Sequence, residues 1–61
     1  MKPNDIVQNS QFVGIVESIE GKLIVRSGGT VYSLEEVKGL DIVGTVESNP
    51  RLANLIRMGG E

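Results

Sequence analysis

Short runs of β-branched and aliphatic residues alternate with turn residues between Asp5 and Ser48, a pattern typical of strands rather than helices. The runs predict five strands, at 5–8, 11–19, 22–26, 30–34 and 40–47. Glu20-Gly21 predicts a two-residue hairpin connection, because glycine readily takes the positive φ that such turns need. Ser27-Gly28-Gly29 predicts the next turn, and Ser33–Val37 predicts one helical turn of 3₁₀ type.

The second predicted strand is apolar on consecutive positions at its start. Val13, Ile15 and Val16 place aliphatic side chains on both faces, and Gly14 marks a bend, since a residue without Cβ permits tight coiling or close approach of another backbone. In the third strand, Leu23 and Val25 are expected to face one way and Lys22, Ile24 and Arg26 the other. We therefore expect a curled sheet with a long strand shared between its two sides.

After Ser48 the apolar residues follow the three- and four-residue spacing of a helix, which predicts a short helix. Asn49 can cap free N–H groups, and Pro50 suits the first helical position. Leu52, Leu55 and Ile56 form an apolar stripe at i, i+3 and i+4. A helix of this length is marginal alone, so the stripe must dock on the sheet or on a second subunit. Gly59 is expected to close the helix before a frayed tail.

The pattern as a whole predicts one small domain over residues 1–61. Residues 5–48 form the β-barrel, 49–58 the C-terminal helix and 59–61 the frayed tail. The predicted fold class is mainly β: a five-stranded small barrel with a short C-terminal α-helix.

One segment nearly repeats itself thirty residues later. Residues 13–18, Val-Gly-Ile-Val-Glu-Ser, recur at 43–48 as Val-Gly-Thr-Val-Glu-Ser. The copies diverge afterwards, whereas a true tandem repeat should continue. We interpret them as two strands with equivalent positions in the sheet, although duplication stays open. If those strands are neighbours, Glu17 and Glu47 would lie side by side as a carboxylate pair.

Composition limits the chemistry that the chain can perform. Its 61 residues include eight acids and six bases, for a net charge of −2, and no histidine, cysteine or tryptophan. Without histidine or cysteine, the familiar nucleophilic mechanisms lack their usual groups, so we expect no catalysis, no cofactor and no metal. The uninterrupted apolar runs fall far short of the roughly 20 residues of a membrane span. We expect a soluble, cytoplasmic protein.

Nucleic acid is a possible but disfavoured ligand. The bases form no cluster, while phosphate-binding proteins concentrate theirs. Lys22, Arg26 and Tyr32 lie on or near one predicted hairpin, where they could neutralise a backbone and stack on a base. These three residues are the candidate nucleic-acid or ligand contacts.

The order of short sequence motifs between Lys2 and Asp41 resembles the order found in bacterial SH3-like small barrels. Residues 2–7, Lys-Pro-Asn-Asp-Ile-Val, are similar to the K-P-G-D-x-V entry strand of those domains, with Asn4 in place of glycine. Residues 12–19 resemble their x-G-x-V-x-x-I strand, and residues 30–37 their closing strand and short turn. The pattern is shared by ribosome-associated KOW modules, and it implies an RNA-binding or ribosome-associated alternative function.

A second resemblance implies an oligomeric enzyme. Residues 31–37, Val-Tyr-Ser-Leu-Glu-Glu-Val, are similar to the I-Y-P-V-A-A-L stretch of plasmid-borne dihydrofolate reductases, which build one pore from four small barrels. Thr30 stands where that family has its key glutamine.

The leading prediction is a non-enzymatic protein-binding or oligomerisation module. The chain holds more large aliphatic residues than so small a barrel can bury, so some should form an interface with a second copy or another protein. The candidate interface residues are Phe12, Leu52, Leu55 and Ile56.

Overall fold

Five strands and one helix follow the chain in the predicted order. The computed structural model describes residues 1–37 and 39–58. Its elements are β1 (Asp5–Gln8), β2 (Val13–Ile19), β3 (Lys22–Ser27), β4 (Thr30–Ser33), β5 (Asp41–Thr45) and α1 (Pro50–Arg57). The prediction of a mainly β chain with a short C-terminal helix is confirmed. The predicted frayed tail and the role of Gly59 lie outside the described residues.

The strands form one antiparallel sheet in the order β4-β3-β2-β1-β5. The inner strands β3, β2 and β1 are each hydrogen-bonded to a neighbour on both sides. β4 and β5 stand at the two ends of this order, so each has one hydrogen-bonded neighbour in the described part of the chain. Two strand edges are therefore open.

Both predicted tight turns are present. Glu20 and Gly21 connect β2 to β3 with φ values of 50° and 79°, which is the pattern of a type I′ turn. Gly28 and Gly29 connect β3 to β4, and of these two only Gly28 has positive φ, at 60°, as in a type II′ turn. Turns of these types match the twist of the flanking strands and thereby fix the registers on either side of β3.

Glu20 occupies a conformation that costs free energy in most residues. The left-handed region is unfavourable for L-residues by about 1–2 kcal/mol, and asparagine tolerates it best after glycine. We therefore expect Glu20→Asn to raise the free energy of unfolding by about 0.5–1 kcal/mol in urea denaturation. Glu47→Asn is the matched control, because Glu47 is exposed and has no positive φ. Equal changes in the two variants would show that the gain comes from charge rather than from backbone conformation.

Asn4 is the second non-glycine residue with positive φ, at 73°. Its N–H donates to the Val16 carbonyl at 2.8 Å, and its own carbonyl accepts from the Val46 N–H at 2.8 Å. Asn4 thus joins the segments on both sides of β1. Asparagine tolerates this left-handed conformation better than most residues.

Strand β2 begins two residues later than predicted. Asn9 Oδ1 accepts hydrogen bonds from the N–H groups of Gln11 at 2.8 Å and Phe12 at 2.9 Å, and the Asn9 N–H donates to the Phe12 carbonyl. Because these bonds close a turn, Gln11 and Phe12 cannot enter the ladder with β1. The prediction of a strand from 11 was wrong for this reason.

Apolar side chains cover both faces of the central strands, as the run at the start of β2 predicted. On one face, Ile6 and Ile15 pack with Ala53 and Ile56 of α1. On the other face, Val7, Val16 and Val25 form a second cluster. The partly buried residues against this second cluster are Phe12, Leu23, Tyr32, Leu34 and Leu40.

The two similar segments, 13–18 and 43–48, occupy the two sides of β1. They are not equivalent, because Gly14 lies opposite Val7 whereas Gly44 lies opposite Ile6. A shift of one residue turns every side chain to the other face. The prediction that the two segments hold equivalent positions in the sheet was therefore wrong, although both pair with β1. Since β1 separates β2 from β5, Glu17 and Glu47 do not form a carboxylate pair across neighbouring strands.

After β4 the chain makes one hydrogen-bonded turn. The Ser33 carbonyl accepts from the N–H groups of Glu36 at 3.0 Å and Val37 at 3.2 Å, and Ser33 Oγ accepts from the Glu35 N–H at 3.3 Å. These bonds draw Leu34 out of the strand, so β4 ends at Ser33. The predicted single turn is present, with mixed i+3 and i+4 bonds rather than a 3₁₀ segment.

Helix α1 docks on the face that carries Ile6 and Ile15. Ala53 and Ile56 are buried and Leu52 is half-buried, while Leu55 is 48% exposed. The Ile56 carbonyl accepts from the Gly28 N–H at 2.9 Å, which ties the helix to the β3–β4 turn. The predicted stripe is thus rotated, because Ala53 takes the inward position that Leu55 was expected to hold.

The helix starts at Pro50 as predicted, but the expected side-chain cap is absent. Asn49 makes no capping bond from its side chain; instead its Nδ2 lies 3.4 Å from the Thr45 carbonyl, and its backbone N–H donates to the same oxygen at 2.9 Å. This turn ends β5 at Thr45, before the predicted end at 47.

Candidate interface at the outer edge of the sheet

Two exposed aliphatic side chains lie next to each other in β5. Ile42 is 55% exposed and Val43 is 43% exposed, and Asp41 beside them is also exposed. Adjacent residues of a strand point to opposite faces of the sheet, so a strand that covers the core buries every second one. Neither Ile42 nor Val43 belongs to an apolar cluster. Residues 41–43, here called the β5 ribbon, therefore lie outside both apolar clusters.

A bulge explains how the ribbon leaves the core. Ile6 pairs with Gly44 and Val7 pairs with Ile42, so Val43 is the extra residue between two ladder positions. Bulges bend the strand and increase its twist. The ribbon consequently diverges from the two covered faces while its inner edge stays paired with β1.

The second half of β5 is in contact with the turn that follows it. The Asn49 N–H bonds to the Thr45 carbonyl at 2.9 Å, and a Cβ added to Gly44 would overlap Asn49 Nδ2. The turn from Thr45 to Asn49 therefore lies against the second half of β5. What remains open is the ribbon itself: one strand edge with two exposed aliphatic side chains.

The interface residues that the sequence suggested are largely engaged within the chain. Ile56 is 2% exposed in the core, and Leu52 packs against the same cluster. Phe12 stacks on Tyr32, with ring centroids 4.3 Å apart and planes 4° from parallel. Leu55 is the member of this set that stays exposed. The proposed interface of Phe12, Leu52, Leu55 and Ile56 is therefore not assembled as one open surface.

The structure also separates the three candidate ligand contacts. Tyr32 pairs with Val25 and lies on the face of the second cluster, whereas Arg26 pairs with Val31 and points to the opposite face. Arg26 Nε donates to Glu17 Oε1 at 3.0 Å, so its charge is already compensated. A stacking and phosphate-neutralising site of Lys22, Arg26 and Tyr32 is therefore not formed.

Lys22 instead lines an open groove of about 420 Å³ at the β2–β3 turn. β4 pairs with β3 only from Ile24 onward, and the groove lies where that pairing ends. Glu35 and Leu34 form its other wall. The groove offers one cation and one carboxylate, both exposed, and no buried polar group aims into it among the described residues.

Across 1–37 and 39–58, no three acidic side chains lie close enough together to hold a metal ion. In the same residues, no helix combines the length and the apolar character that crossing a bilayer requires.

Ile42 and Val43 are not among the interface residues that the sequence predicted. The run between Asp41 and Glu47 contains no charged residue, but such a run is equally typical of a strand buried on both faces and does not mark an open edge.

Comparison of the chain with models of protein families, with curated proteins and with solved structures found no match. The SH3-like, KOW-like and reductase resemblances of its sequence therefore remain predictions.

Proposed function

We propose that this chain is a non-enzymatic protein-binding module and that the β5 ribbon is its interface. The observation that carries the proposal is the exposure of two consecutive aliphatic residues, Ile42 and Val43, on an unpaired strand edge. Scattered apolar residues are normal on a protein surface, but an open edge with unpaired N–H and C=O groups is a template for another chain. The two features coincide at the ribbon.

The open edge of β4 differs from the β5 ribbon, and the difference supports the choice of the ribbon as the interface. β4 exposes Val31 at 48%, but its neighbour Tyr32 turns inward onto Phe12. One face of β4 is thus covered, as an ordinary edge strand requires. In the ribbon, by contrast, both consecutive aliphatic residues are exposed.

The KOW-like alternative receives no support from the site geometry. Its aromatic and basic residues lie on opposite faces of the sheet, and Arg26 is paired with Glu17. No observation favours the alternative of an oligomeric enzyme, which stays a prediction from the resemblance at residues 31–37.

Photo-crosslinking tests the proposal in the cells that make the protein. A photoreactive residue in place of Ile42 should give covalent protein adducts, while the same residue in place of Val31 should give few, although the two sites are similarly exposed. Adding Val43→Asp to the Ile42 variant should abolish the adducts, because burying an unpaired carboxylate at an interface is costly. No adducts at position 42, or equal yields at 42 and 31, would contradict the proposal.

A further inference from the structure

We draw no further inference here: the strongest candidate, the open edge of the β5 ribbon, belongs to the site already described, and nothing in the structure shows which partner covers it.

Discussion

Replacing Gly14 by alanine should lower the free energy of unfolding by about 1–3 kcal/mol. Gly14 is buried in β2, and a Cβ there would overlap Val25 Cγ1 and lie 3.0 Å from the Arg26 carbonyl oxygen. Val25 is fully buried and Arg26 belongs to the adjacent strand of the ladder, so neither can recede without disturbing the second cluster. A domain of this size has about 3–9 kcal/mol of stability in total, so the loss is large.

Gly44→Ala is the matched control, because Gly44 is the corresponding glycine of the similar segment. Its added Cβ would meet Asn49 Nδ2, the end of a side chain that can rotate away. Neither glycine has positive φ, so alanine fits both backbones and both variants lose similar freedom in the unfolded chain. Urea denaturation should show a loss below about 1 kcal/mol for Gly44→Ala. Equal losses at the two positions would contradict the packing at Gly14.

Ile6→Ala should be the most damaging single truncation. Ile6 has no exposed surface and packs with Ile15, Ala53 and Ile56, so it joins the central strand to the helix. Truncating a fully buried isoleucine costs about 2–5 kcal/mol, which includes the cavity left behind. Thermal and urea denaturation should show a variant that is partly unfolded without denaturant.

Ile42→Ala is the matched control for Ile6→Ala, because it makes the same substitution at an exposed position. Since Ile42 is 55% exposed, its truncation in dilute protein should change the stability of the single chain by less than about 0.5 kcal/mol. A small loss for Ile6→Ala, or similar losses at both positions, would show that the helix does not seal this face of the sheet.

The local signals in the sequence predicted the elements well. Glu20-Gly21 and Gly28-Gly29 need positive φ, and a two-residue turn constrains the strands on each side of it. Pro50 set the start of α1 for a similarly local reason. The errors at element ends arose where a polar side chain competed with the ladder, as Asn9 does before β2.

The error of placing Lys22, Arg26 and Tyr32 in one site could have been avoided from the sequence. A two-residue turn at Gly28-Gly29 places Arg26 opposite Val31, so Tyr32 must point to the other face. The alternation alone thus separates Tyr32 from Lys22 and Arg26. The position of Leu55 was harder to predict, because Ala53 is too small to dominate a hydrophobic stripe and yet fits closely against the sheet.

The open ribbon could not be predicted from local pattern. Its exposure depends on β5 standing beside β1 at the end of the sheet and on the bulge at Val43, which are both consequences of long-range pairing. The residue pattern of β5 shows two aliphatic neighbours, and such a run is equally typical of a strand buried on both faces. Only the strand order distinguishes the two cases.

The most direct test of the central claim, that the β5 ribbon is the interface, compares photo-crosslinking from position 42 with photo-crosslinking from position 31 in the cells that make the protein. The predicted result is protein adducts at position 42 that Val43→Asp abolishes, with few adducts at position 31. Equal yields at the two positions, or none at position 42, would contradict the claim.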